Sequence, residues 1–227
     1  MKLLTRMIAF LSFLIMFQYA NAAGNSVYVD QIGSGTTVNF TQTGNSNTIG
    51  NATTKAKVDG NNNTVTVDQI GNSNVTALSV TGSGVTVQST VTGNTNDVNI
   101  SCGASGSCTA SSITNTITGD GNTVIQSTEG LMTSVVTITS NNNSVDIQND
   151  STSVSGSKSN VNISSGGGND VVIRQTGAAG TNGHEANATI VGATNTVEIK
   201  QGGSVDSKVV STITGSGNTL TVKSNHQ

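Results

Sequence analysis

Proline and tryptophan are absent from this chain, aromatics make up 3% of it and charged residues 9%. Each scarcity excludes something. Beyond the first 22 residues the only aromatics are Tyr28 and Phe40 and the only methionine is Met132, so no set of rings can stack bases or sugars. The nine basic residues include Lys2 and Arg6 in that opening segment and face twelve acidic ones, which leaves no basic patch for nucleic acid. Carboxylates fall one per repeat or fewer, whereas acid–base catalysis needs two groups held close with displaced pKa values. The chain is therefore expected to be neither an enzyme nor a cofactor protein. With so few large apolar side chains, it cannot build a thick globular core.

The opening segment is an address. Lys2 and Arg6 precede a run from Met7 to Phe17 that is apolar apart from Ser12, and Ala20-Asn21-Ala22 supplies a small-residue cleavage site. This reads as a secretory signal peptide over residues 1–22, too short to span a membrane. Residues 23–227 then form a single repeat domain.

What remains is Gly, Asn, Ser and Thr around alternating aliphatics. One line keeps returning: GNNNTVTVDQIG at 60–71, GNSVYVDQIG from Gly24, GNTNDVNIS from Gly93, GDGNTVIQS from Gly119, NNNSVDIQ from Asn141, GATNTVEIKQG from Gly192 and GSGNTLTVKS from Gly215. In a β-strand, Asn63, Val65, Val67 and Gln69 point to one face, and Thr64, Thr66 and Asp68 to the other. The same inward set recurs as Asn25, Val27, Val29, Gln31; as Thr36, Val38, Phe40, Gln42; and as Asn96, Val98, Ile100, Cys102. It returns as Asn143, Val145, Ile147; as Asn195, Val197, Ile199, Gln201; and as Asn218, Leu220, Val222. A second, weaker family ends in Val80-Thr81-Gly82, Val91-Thr92-Gly93, Ile117-Thr118-Gly119, Ile138-Thr139-Ser140, Val154-Ser155-Gly156 and Ile213-Thr214-Gly215. Strong and weak strands alternate about every 22 residues through Gly- and Asn-rich turns. The expected fold is all-β: a repeat β-solenoid of stacked two-stranded β-arches, roughly eight or nine rungs at the usual strand spacing.

Core-facing Asn and Gln amides are costly to bury unpaired. Rungs about 4.8 Å apart would let each bond to its copies above and below, as in cross-β amide ladders; the alternative is that they merely form turns at strand ends. The candidate ladder residues are Asn25, Asn47, Asn63, Asn74, Asn96, Asn122, Asn143, Asn195 and Asn218, with Gln31, Gln42, Gln69 and Gln201.

Cys102 and Cys108 enclose five small residues and, after secretion, are expected to form a local disulfide. No metal site is expected, because His184 and His226 lack ligand spacing. SGGGNDVV at 165–172 lies one residue from a calcium-binding repeat but has no neighbouring copies, so it reads as a turn before a strand. His184-Glu185 in its Gly-rich loop is expected to be exposed. Outward Thr-x-Thr pairs (Thr90/Thr92, Thr116/Thr118, Thr137/Thr139, Thr212/Thr214, with Ser79/Thr81 and Ser153/Ser155 close to them) raise an alternative, an ice- or surface-binding solenoid. A monomeric adhesin or fibre-tip domain is a third reading.

TQTGNSNT at 41–48 and VDQIGNSN at 67–74 resemble the curlin repeat, the unit of bacterial curli fibres. In that family a Gln is followed five positions later by an Asn at the arch, as Gln42 by Asn47 and Gln69 by Asn74 are here. The resemblance is strong over residues 24–82 and looser beyond. It implies a secreted, extracellular or cell-surface subunit that passes through the periplasm and polymerises with itself or with other curli-like subunits. Such a protein supports biofilm matrix and adhesion to host or matrix surfaces, without nucleic acid or stable membrane insertion.

Overall fold

A computed structural model describes residues 24–31, 37–53, 56–60, 62–82, 85–101, 103, 112–128, 132–150, 157–177 and 181–226. Every regular element among them is a strand. In chain order these are β1 (Ser26–Val27), β2 (Val29–Gln31), β3 (Thr37–Thr43), β4 (Thr48–Ile49), β5 (Ala56–Val58), β6 (Thr64–Ile70), β7 (Val75–Val80), β8 (Thr86–Thr92) and β9 (Asp97–Ser101). Then follow β10 (Ser112–Thr118), β11 (Thr123–Thr128), β12 (Met132–Ile138), β13 (Ser144–Asp150), β14 (Ser157–Ser165), β15 (Asp170–Thr176), β16 (Glu185–Val191), β17 (Thr196–Gly203), β18 (Lys208–Thr214) and β19 (Thr219–His226).

The chain alternates between two parallel sheets. Sheet A runs β1-β4-β7-β9-β11-β13-β15-β17-β19, with β2 and β5 continuing the first two rungs beside it. Sheet B runs β3-β6-β8-β10-β12-β14-β16-β18. Each circuit lays one strand on each sheet, which makes the molecule a β-solenoid of two-stranded arches. Its eight strands in sheet B and nine-strand path in sheet A agree with the roughly eight or nine rungs expected from the repeat.

Alternation in sequence becomes alternation in burial. In β8, β10 and β15 every second residue is buried, and those residues face the opposite sheet. Val98, Val124, Val145, Val171 and Val197 stack in register on sheet A. Across the core, Val91, Ile117, Ile138, Ile163, Ile190 and Ile213 stack on sheet B. All eleven are buried. Each such side chain removed from water contributes about 1.5–3 kcal/mol, so stability accumulates rung by rung rather than around one centre.

The two edges of the solenoid differ. Where the chain passes from sheet B to sheet A, seven of the eight connections have four residues (44–47, 71–74, 93–96, 119–122, 166–169, 192–195 and 215–218), and the eighth, 139–143, has five and ends in the arc 140–143. Seven of the eight read Gly-x-x-Asn, and one reads Ser140-x-x-Asn143. The third residue of each arc has positive φ, and it includes Ser46, Ser73, Thr95, Asn142 and Thr194 at 55–57°. That conformation costs an L-residue on the order of 1–2 kcal/mol, most of all the β-branched Thr95 and Thr194. Both threonines turn their hydroxyl onto the preceding carbonyl oxygen at 2.7 Å. The opposite edge, from sheet A to sheet B, has connections of unequal length.

The structure regroups the repeat. GNNNTVTVDQIG at 60–71 forms β6 of sheet B, whereas the copies from Gly24, Gly93, Gly119, Asn141, Gly192 and Gly215 all lie on sheet A. The similar-looking strands of the first two rungs therefore face each other across the core instead of stacking.

Close stacking makes some glycines obligatory. A Cβ on Gly71 (φ 121°) would overlap the carbonyl oxygen of Gly93 in the next rung, whereas one on Gly217 (φ 75°) meets nothing within 4 Å. Gly71→Ala is expected to destabilise the fold by more than about 2 kcal/mol, through backbone displacement added to conformational strain. Gly217→Ala, carrying the strain alone, is expected to cost about 1 kcal/mol. Urea unfolding midpoints of the two variants check this difference.

Candidate functional site: the asparagine ladder

The four-residue arc ends on an Asn whose side chain turns inward at the start of each sheet A strand. Asn25, Asn47, Asn74, Asn96, Asn122, Asn143, Asn169, Asn195 and Asn218 are stacked in this position, one per rung. In a typical link, Oδ1 of Asn74 accepts the backbone N–H of Asn96 and its Nδ2–H, both at 3.0 Å. The remaining Nδ2 proton of Asn96 goes to the Gly119 carbonyl at 2.8 Å. The same pattern runs from Asn47 to Asn218. From Asn74 to Asn218 each amide donates to the oxygen of the lower-numbered Asn, and from Asn25 to Asn195 each oxygen accepts from the higher-numbered one, so the ladder has a direction.

Where Ser140 replaces the arc glycine, Asn143 instead sends Nδ2 to Ser140 Oγ at 3.0 Å and to the Asn141 carbonyl at 3.1 Å. At the first rung, Asn25 Oδ1 accepts the Asn47 N–H at 2.9 Å, while its Nδ2 is buried with no partner among the described residues.

A second ladder lies outside the first. The second residues of the arcs, Asn45, Asn72, Asn94, Asp120 and Asn141, are linked by bonds of 2.7–3.0 Å from each backbone N–H to the next side-chain oxygen. Asn72 and Asn94 also donate through Nδ2. Here the donors point toward the higher-numbered rung, opposite to the inner ladder. The series stops where Gly167 takes the position.

Sequence reasoning assigned these residues unevenly. Asn63 is not part of the ladder. It closes a Gly60-x-x-Asn63 arc on the opposite edge, and Val85 stands beside it in the next rung, so no amide is there to continue the column. Its Nδ2 turns back to the Asp59 carbonyl at 2.6 Å, and its Oδ1 is buried without a partner among the described residues.

The glutamines form no single column. Gln42 and Gln69, on sheet B, pair at 2.9 Å, after which Gln69 reaches Thr76 Oγ1 at 2.8 Å because Val91 follows it in register. Gln201, on sheet A, accepts from Gln175 at 2.8 Å and donates to Ser207 Oγ at 3.1 Å. Gln31 pairs through its backbone with Val58. Asn169, Gln175 and the whole outer ladder were missed; the Gly-x-x-Asn spacing at Gly166–Asn169 carried the signal for the first. Cys102 and Cys108 lie outside the described residues.

His184 departs from its expected exposure. It is fully buried, with Nδ1 2.8 Å from Ser207 Oγ. Its position two residues before the buried Ala186 makes it core-facing, and its Nε2 is buried without a partner among the described residues. Beside it, the Asp206 carboxylate accepts the backbone N–H groups of Asn182 and Gly183 at 3.0 and 2.9 Å and the Asn182 Nδ2–H at 3.1 Å. Those bonds, the Asn182 backbone N–H foremost, hold its pKa below the ordinary value of 3.8.

On the outer face of sheet B, Thr90, Thr116 and Thr137 stand in register, but Asp68 precedes and Asn162 follows them. Ser79 lies on the other sheet, and Ser153 and Ser155 fall outside the described residues. The hydroxyl array is short and interrupted, which does not favour a lattice-matching surface. Among the described residues, no three His, Cys, Asp or Glu side chains are placed to hold a metal ion. No protein-family model, curated protein or solved structure matches the chain.

Two measurements bear on this geometry. Asn122→Ala removes the acceptor for Asn143 and leaves Asn96 Oδ1 with only the backbone N–H of residue 122, so a loss of about 2–4 kcal/mol is expected; Asn141→Ala on the exposed ladder should cost under about 1 kcal/mol. Denaturant titration compares the two. Because the folded Asp206 pKa is depressed, its contribution is complete above the usual Asp range near ~3.9 and is lost as pH falls through the lower folded value. The stability difference between wild type and Asp206→Asn should therefore shrink from pH 5 toward pH 2 in thermal melts.

Proposed function

We propose that this chain is a structural extracellular protein: a curli-like fibre or biofilm-matrix subunit that assembles by cross-β stacking and supports adhesion. One observation carries the reading. A directional amide ladder runs through every rung described, and the strands at both ends of the stack, β1–β2 with β3 and β19 with β18, present edges that no described strand pairs. A strand added from another copy along sheet A would gain the ladder and core contacts that an internal sheet A strand already makes. Such edges are templates for further strands, and no proline stands in the chain to block them.

The opening 22 residues, read as a secretory signal, support a route through the periplasm to the cell surface or medium. The outward faces, rich in Thr, Ser and Asn, suit a hydrated fibre whose growth is stronger end to end than side to side. The partner is the chain itself or another curli-like subunit, with host or matrix surfaces as the adhesion target. The role is mechanical, without a catalytic step or cofactor.

Purified residues 23–227 are expected to form thioflavin-positive fibres with meridional diffraction at 4.7–4.8 Å, and fragments of those fibres should abolish the lag phase. A chain that stays monomeric for days at high concentration overturns the reading.

A further inference from the structure

We infer that the joint between copies has one polarity and one register: β19 of one copy lies along β1–β2 of the next, placing Asn218 on Asn25, Leu220 on Val27, Val222 on Val29 and Lys223 on Asp30. The inference rests on the assembly reading above and specifies its contact.

Register fixes the correspondence. Followed strand by strand through sheet A, the position of Ser26 arrives at Thr219. The Asn that starts each rung precedes it by one residue, and Asp30 and Lys223 follow it by four.

Three features of the two edges are complementary in that register. Asn25 carries a buried Nδ2 without a partner, and Asn218 Oδ1 accepts no bond among the described residues. Joined, they continue the inner ladder in its existing direction. The core-facing Val27 is 39% exposed, and Val29, Leu220 and Val222 are only half-buried, so each edge leaves aliphatic surface that the other would cover.

The third feature is charge. Arg174, Lys200 and Lys223 stack on consecutive rungs. The first two are neutralised by Asp146 and Glu198, while Lys223 has no ion pair among the described residues. At the other end, Asp30 is exposed and likewise unpaired, beside a Lys57 already engaged by Asp59 at 3.3 Å. Head-to-tail contact brings Lys223 to Asp30. Tail-to-tail contact would instead turn two acceptor ends of the ladder toward each other.

The joint is continuous in sheet A only. Sheet B has one strand fewer on its path, so β18 of one copy and β3 of the next stand two strand spacings apart, about 10 Å. This notch makes the joint depend on its sheet A contacts, and makes the Asp30–Lys223 pair a measurable part of it.

Charge reversal in self-seeded elongation of residues 23–227 at low salt tests the joint. Asp30→Lys and Lys223→Asp, each alone, are expected to slow elongation on seeds of the same variant roughly threefold to tenfold. The double variant Asp30→Lys/Lys223→Asp should return to within about twofold of wild type, and 0.5 M salt should compress all the differences. Asp30→Asn, which adds no charge beside Lys57, should fall between wild type and Asp30→Lys, and circular dichroism of the soluble chains checks that the variants fold alike.

Wild-type fibres that elongate while both single reversals match them overturn the joint and leave the assembly reading standing. A double variant no faster than the slower single also overturns it. If Lys223→Asp alone accelerates growth, β19 is displacing β1–β2 and meeting Lys57, and the proposed register is wrong. Wild-type chain that never elongates overturns both readings.

Discussion

The constraint on which this structure depends is the pairing of an amide that the fold has placed in its core. A buried carboxamide offers two donors and an oxygen with two lone pairs, and leaving them unmet costs more than the hydrogen bonds contribute once made. Inside the inner ladder neighbouring rungs meet them, as at Asn96, where both donors and the oxygen are engaged. The end residues Asn25 and Asn218 keep an unmet donor and an unmet oxygen, respectively, among the described residues. Because the partners come from the rungs above and below, the distance between rungs and the position of each arc are set together. A slip of one residue in any sheet A strand would withdraw an Asn from the column and turn the aliphatics outward.

The same requirement explains the strained turns. Left-handed backbone at Thr95 and Thr194 is unfavourable locally, yet it lets the four-residue arc deliver the following Asn to the ladder. The close approach of Gly71 to Gly93 has the same origin: a first residue without a side chain lets Gly-x-x-Asn arcs stack at strand spacing, and the one arc that opens on Ser140 uses its hydroxyl to accept from Asn143 instead. Energy gained along the column offsets strain within each turn. The opposite edge, free of this obligation, carries connections of unequal length, and its buried polar groups pair by individual solutions such as His184 with Ser207 and Gln201 with Ser207.

Much of the fold was legible in the sequence because period-two alternation is a local signal. Val145 and Ile147, or Val197 and Ile199, declare a buried face without reference to anything else. Ladder membership is not local. Gly60–Asn63 and Gly71–Asn74 have the same spacing and the same pattern of positive φ at their first and third residues. They have different fates because Asn96 stands in the next rung in one case and Val85 in the other. The glutamines divide between sheets for a similar reason: the strong motif of the first two rungs occurs on both, and only strand pairing tells Gln42 from Gln31. Asn169 follows the rule of the arc, but the three glycines before it give SGGGNDVV the look of a calcium-binding repeat and of a plain turn, which hides the Gly-x-x-Asn spacing.

The opposed directions of the two ladders have an electrical consequence. Aligned amides add their dipoles along a column much as peptide groups do along a helix. From Asn45 to Asn141 the outer series points against the inner one, and its fourth member, Asp120, is a carboxylate rather than an amide. Beyond Gly167 the outer position carries no amide, only a bond from the Ala193 N–H to Ser216 Oγ at 3.2 Å, and the inner ladder continues to Asn218 with its oxygens facing the last rung. The stack is therefore electrically asymmetric along its length: its inner column begins on an amide N–H at Asn25 and ends on an amide oxygen at Asn218.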